Sequence, residues 1–216
     1  NNCGSCSSAC QGGQQCSSGI CCNTGLINCS GVCVTLSTDM NNCGTCGTAC
    51  KSGETCKSGA CVGSPKPLTS GSTVSGNTGT HNSLYYLAQP VTLSSSATIT
   101  GFGINLQSFP GGTKIIMGLY SNVGGKPGTK LVESALTTVT SGSNTLVAIK
   151  ATLVSAGTYW IVTNYVASGN TVVIESTTSA TQTYYASDGH STTLPGSWSG
   201  STSYTDHQFA WWIIGY

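Results

Sequence analysis

The chain has 216 residues, of which only 6% are charged, against roughly 25% in an ordinary soluble domain. A net charge of +1 and the absence of arginine argue against a nucleic-acid partner, because phosphate binding needs clustered cations. No apolar run approaches the ~20 residues needed to span a bilayer, and Gly, Ser, Thr and Asn supply the polarity, as on many secreted proteins.

All thirteen cysteines lie between Cys3 and Cys61, in a stretch without Phe, Trp or Tyr; every aromatic residue comes later. This split predicts three parts: a cysteine-rich domain over residues 1–62, a linker over 63–80, and a second domain over 81–216. So dense a set of cysteines implies disulfides and an oxidising, extracellular or cell-surface location. No leader-like stretch opens the chain, so residue 1 reads as a mature end or as the edge of a piece cut from a longer polypeptide.

Within the first part, NNCGSCSSACQGGQQCSSGICC and NNCGTCGTACKSGETCKSGACV are two copies of one pattern, forty residues apart. Cys3, Cys6, Cys10, Cys16 and Cys21 align with Cys43, Cys46, Cys50, Cys56 and Cys61, a strong repeat signal. The segment between the copies adds Cys29 and Cys33, and Cys22 completes the set. The few, small apolar residues cannot offset ~1–2 kcal/mol of backbone entropy per ordered residue, so bridges must replace a core. Metal binding at the two C-x-x-C pairs is the alternative, but the stretch has no histidine and more cysteines than one or two zinc sites use. Thirteen is odd. Counted from Cys3, an eight-cysteine unit ends at Cys33 and the second copy supplies only five. One thiol is therefore free, bonded to another molecule, or partnered upstream of Asn1.

The stretch from Cys29 to Cys50, CSGVCVTLSTDMNNCGTCGTAC, resembles the NCGxCGxxC cysteine-rich repeat of plant stigma-specific proteins and of tandem arrays on secreted myxobacterial proteins. The resemblance implies a disulfide-rich extracellular stalk or interaction module without catalytic residues. The first copy departs from it, with Ser7 where the second has Gly47, and without a preceding C-x-G-x-C segment.

Residues 63–80, GSPKPLTSGSTVSGNTGT, read as a boundary, stiffened by Pro65 and Pro67 and then flexible or beginning an edge strand. From residue 84, apolar and β-branched runs alternate with turn residues. Strands are predicted over 84–93, 98–106, 114–120, 130–139, 145–154, 158–166, 171–175, 182–186 and 208–216. Period-two alternation is clearest at Phe102, Ile104 and Leu106, at Val147, Ile149, Ala151 and Leu153, and at Phe209, Trp211 and Ile213. About nine short strands without a helical stripe predict an all-β antiparallel sandwich, jelly-roll-like, beside the small disulfide-rich domain. The runs GFGINL, IMGLYSNVGGKPGTKL and LVSAGTYWIVTNY are similar to bacterial extracellular jelly-roll modules that accompany surface-anchoring signals. That similarity implies an adhesive or carbohydrate-binding-module-like fold.

No hydrolase elbow, zinc-protease helix or phosphate loop occurs. The carboxylates of the second domain are Glu133, Glu175, Asp188 and Asp206, and its imidazoles are His81, His190 and His207. Asp188/His190 and Asp206/His207 read as solvated turn formers, and Glu133 and Glu175 as strand residues facing water. The expectation is a protein that is not an enzyme and uses no cofactor or metal. Trp198, in a Gly/Ser-rich loop, is the candidate for stacking on a sugar, with Tyr204 and Asp206 as hydrogen-bond partners; alternatively its ring folds back to cap the sandwich. Of the pairs Tyr85/Tyr86, Tyr184/Tyr185 and Trp211/Trp212, one member of each should face outward, towards a binding surface or the cysteine-rich domain. The resulting expectation is an extracellular structural or adhesive protein that self-associates or joins other matrix components, possible glycans being the alternative partner.

Overall fold

Three Ser-Gly corners shape the first part of the chain. Ser18-Gly19, Ser30-Gly31 and Ser58-Gly59 all have positive φ at both residues, the twist that closes a two-residue hairpin without splaying its strands. Each joins an antiparallel pair: β1 (Gln14–Ser17) with β2 (Ile20–Asn23), β3 (Ile27–Cys29) with β4 (Val32–Val34), and β5 (Glu54–Lys57) with β6 (Ala60–Gly63). The computed structural model describes residues 2–5, 7–69, 78–82, 84–106, 109–139, 144–167, 171–177, 183–187, 191–200, 202–204 and 208–216. For residues 78–82, 144–145, 171–177, 204 and 208 it describes the backbone alone.

Two units result, Asn1–Ser64 and Pro65–Tyr216. In the first, six disulfides stand where apolar side chains would: Cys3–Cys16, Cys10–Cys21, Cys22–Cys33, Cys29–Cys46, Cys43–Cys56 and Cys50–Cys61. Among the described residues its buried apolar side chains are all half-cystines: Cys3, Cys22, Cys29, Cys43 and Cys56. Gly44 is required at its position, since a Cβ there would lie 2.4 Å from the Gly59 carbonyl oxygen. The bridges frame the repeat differently from the count begun at Cys3. A closed unit of eight cysteines runs from Cys22 to Cys61, and Cys29–Cys46 crosses the boundary that the count predicts.

The second unit is an antiparallel β-sandwich. Its strands in chain order are β7 (Lys66–Pro67), β8 (Thr78–Asn82), β9 (Tyr85–Leu93), β10 (Ala97–Asn105), β11 (Lys114–Val123), β12 (Lys126–Glu133), β13 (Thr137–Thr138), β14 (Asn144–Val154), β15 (Gly157–Val166), β16 (Thr171–Thr177), β17 (Thr183–Ser187), β18 (Thr202–Tyr204), β19 (Gln208–Phe209) and β20 (Trp211–Gly215). One sheet has the order β14-β10-β20-β7, the other β12-β11-β15-β9-β17-β18 with β13 also on β11; β19-β16-β8 form a small third sheet. The chain changes sheet between β9 and β10, β10 and β11, β13 and β14, and β14 and β15, as in a jelly-roll-like sandwich.

The core between the sheets follows the period-two pattern. Phe102, Ile104, Met117, Ile161, Trp211 and Ile213 are all buried in it. At Thr100 the register breaks: Gly101 faces Ala148, but Ile99 faces Thr152. This bulge changes the phase of alternation on β14. Val154 is therefore buried while Leu153 is 77% exposed, so the predicted inward run from Val147 does not reach Leu153. Residues predicted as linker also differ in part. β7 pairs with β20, Leu68 packs on the core, and the Thr69 hydroxyl accepts from the Ile213 amide at 2.9 Å. Leu68 supplies an apolar side chain to this edge, a signal that the Gly/Ser-rich composition around it conceals.

Candidate functional site

A second apolar cluster lies on the outer face of the larger sheet: Tyr86, Ala88, Ile116, Tyr120, Trp160, Val162, Tyr184 and Leu194. Strand alternation aims the first seven away from the core, and residues 191–200 cross above them. The sheet holds this strap mainly through its main chain. The Asn164 side-chain amide donates to Ser191 O, Tyr86 Oη to Thr193 O, Tyr120 Oη to Pro195 O, and Lys130 Nζ to Leu194 O. Glu133 pairs with Lys130 at 2.9 Å and accepts from the Leu194 amide. Glu133 is thus a strap anchor, not the water-facing strand residue expected from sequence. Burial raises the Tyr120 phenol well above its usual value, with the Glu133 carboxylate and Tyr86 adding to the effect, so the phenol stays a hydrogen-bond donor.

Trp198 closes the far end of the strap. Its amide donates to Gly128 O and its indole Nε1 to Gly200 O at 2.8 Å. The half-buried ring packs against the outer cluster, the capping arrangement weighed in the sequence. One side borders a shallow groove of about 390 Å³ lined by Val123, Lys126, Thr129, Ser197, Trp198 and Ser199 among others. Lys126 Nζ stands 5.6 Å from the Tyr184 ring centroid. Tyr204 is opposite Thr183 in the β17–β18 ladder; its side chain, like Asp206, lies outside the described residues. The same is true of Asp188, His190, His207 and the side chains of His81 and Glu175. Ser199 is among the loop hydroxyls that the sequence places beside Trp198, whereas Lys126 and Thr129 escaped the sequence reading, since a turn lysine and an isolated hydroxyl some seventy residues away carry no local signature.

The aromatic pairs divide as expected. Tyr85 and Tyr185 meet edge-to-face at 5.4 Å on the core side, and Trp211 stacks on Phe209 at 4.4 Å. The outward members are nevertheless buried: Tyr86 and Tyr184 by the cluster beneath the strap, and Trp212, at 3% exposure, against Gly103.

Cys43 and Cys46 form no bridge with each other; they bond Cys56 and Cys29. Where sulfurs converge, as at Cys3, Cys10 and Cys21, each already belongs to a disulfide, and the thiolate that a zinc ion needs is absent. The twelve paired cysteines leave no partner for Cys6 within residues 1–216; Cys6 itself lies outside the described residues.

A bridged unit without an apolar core, followed by an all-β sandwich, defines a disulfide-stabilised protein of an oxidising compartment. Residues 22–64 match the model of the Stigma-specific STIG1-like protein family, the span within which Cys22–Cys33, Cys29–Cys46, Cys43–Cys56 and Cys50–Cys61 all close. Together the bridges and this similarity indicate a secreted, extracellular protein. Comparison with curated proteins and with solved structures returns no match. No described helix is long and apolar enough to cross a membrane.

Proposed function

We propose that the protein is an extracellular structural or adhesive protein, a subunit of a fibre or surface assembly, and not an enzyme. The observation that carries this reading is the Cys29–Cys46 bridge, which ties the hairpin before the second repeat copy to that copy. Force along such a ladder is borne by covalent bonds instead of by a hydrophobic core. The sandwich supplies contact surface. β14 ends its sheet among the described residues, with Leu146 and Leu153 at 62% and 77% exposure, and Leu131 on the edge strand β12 is also exposed. An edge strand with exposed leucines is a template for pairing between subunits. Electron microscopy and sedimentation over rising concentration should find ordered assemblies that Leu146→Lys with Leu153→Lys reduces. Monodisperse monomers throughout, with no ordering on partner addition, contradict the reading.

The groove beside Trp198 favours a second reading, a secreted carbohydrate-binding module. An aromatic ring next to hydroxyls and one cation, Lys126, is a surface on which a sugar stacks and forms hydrogen bonds. On a glycan array this predicts a specific signal that Trp198→Ala abolishes while near-ultraviolet circular dichroism shows the sandwich still folded. An array on which the unsubstituted protein retains no glycan excludes it.

A further inference from the structure

The groove beside Trp198 has a neighbour. A second groove, of about 330 Å³, lies on the β17–β18 side and is lined by Tyr185, Ala186, Ser187, Ser199, Gly200 and Thr202. The first, of about 390 Å³, has the same Ser199 and Gly200 in its wall. Each volume is at the lower end of the ~300–1,000 Å³ of small-molecule sites.

The shared wall is low and fixed. Gly200 lies directly on β17: a Cβ there would come within 2.6 Å of Tyr185 O and 2.9 Å of Ala186 Cβ. Glycine therefore lets the strap sink onto the sheet where the grooves meet. At the other end Gly196 O accepts from the Lys130 amide at 2.9 Å, Ser197 bridges Thr129, and the Trp198 amide donates to Gly128 O at 2.9 Å. The indole Nε1 donates to Gly200 O at 2.8 Å, which fixes the ring against the wall. Residues 196–200 are thus tied to β12 at one end and to β17 at the other. A ligand meets a surface already ordered, which lowers the cost of binding.

The chemistry of the two grooves suits a glycan chain. One offers the Trp198 ring with Lys126 and Thr129; the other offers the hydroxyls of Ser187 and Thr202, both exposed. Each residue of a polysaccharide presents an apolar C–H face and a rim of hydroxyls, the complement of such a surface. The edges of β12 and β17 that border the grooves are already paired, with residues 196–198 and with β18. Those two edges are thus closed to an extended peptide, which binds by joining a sheet edge.

We propose that the two grooves are successive subsites for one polysaccharide chain, bound along an internal stretch that crosses Ser199 and Gly200. Trp198 stacks on one sugar residue, and Ser187 and Thr202 hydrogen-bond a later one. This rests on the carbohydrate-binding reading and names its ligand as a chain, not a terminal sugar.

Titration calorimetry with fragments of one to six residues from xylan, β-glucan, mannan and polygalacturonate tests it. For a polysaccharide that binds, affinity should rise on the order of tenfold from one residue to four as the second groove fills, then level off. Ser187→Ala with Thr202→Val should remove that gain, so that the hexamer binds no more tightly than a single residue. Blocking the non-reducing end of the hexamer should not weaken it. Equal affinity for one residue and six, a length gain that survives the double substitution, or loss on end blocking overturns the proposal while leaving a terminal-sugar site. If no fragment of any length binds, the carbohydrate-binding reading falls, and this inference with it.

Discussion

Reduction of the disulfides should unfold residues 1–64 and leave the sandwich folded. Each bridge closes a loop of 11 to 17 residues, and each is worth about 3 kcal/mol through the freedom it removes from the unfolded chain. Nothing else of that size holds this unit, because its buried apolar residues are the half-cystines themselves. The sandwich contains no cysteine and all sixteen Trp, Tyr and Phe residues. Near-ultraviolet circular dichroism and tryptophan fluorescence therefore report on it alone. With dithiothreitol these signals should persist, while hydrogen exchange shows β1 to β6 losing protection. Amide protection surviving in β5 and β6 of the reduced chain would refute a fold held by sulfur.

Gly103→Ala should destabilise the sandwich by about 1–3 kcal/mol, the usual cost of forcing atoms into a filled space. A Cβ on Gly103 would sit 2.0 Å from Cε2 of Trp212 and 2.3 Å from Nε1. The two residues are direct cross-strand partners, and Trp212 is 3% exposed, so the indole can yield only by repacking. Removing the ring with Trp212→Ala should by itself cost about 3–5 kcal/mol. The double variant separates contact from coincidence. With the indole gone the alanine methyl has room, so the two losses should fall short of additivity by on the order of 0.5–3 kcal/mol. Urea unfolding followed by fluorescence measures all three variants. Strict additivity would mean that Gly103 is needed for a reason other than this contact.

The strand pattern was legible because each side of a sandwich sheet meets one environment. Phe102, Ile104 and Leu106 alternate in sequence and are buried together in the core. Legibility ended where chain geometry broke that rule. The bulge at Thr100 moved Leu153 outward, and no local residue type announces a bulge of this kind. The candidate site shows the same limit. Trp198 stood out as a large ring in a small-residue loop, and the structure gives it both the cap and the groove. Its surroundings were hidden, because Tyr86, Asn164, Lys130 and Glu133 meet residues 191–200 across separations of 27 to 107 positions.

The disulfide ladder divides in the same way. Parity, spacing and the forty-residue repeat gave the oxidising compartment, the small stapled fold and one cysteine without an internal partner, since these follow from counting alone. Pairing required the fold, because a disulfide forms where backbone geometry brings two Cα atoms to 5.3–5.6 Å, whatever their order in the chain. That geometry closed the unit from Cys22 to Cys61 and left Cys6 as the one cysteine without a partner among the twelve that pair. The sequence by itself determined that bridges replace a core here and that alternating strands build one there. Only the tertiary structure decided which cysteines meet and which outward rings are covered, because both depend on contacts between residues that local pattern does not connect.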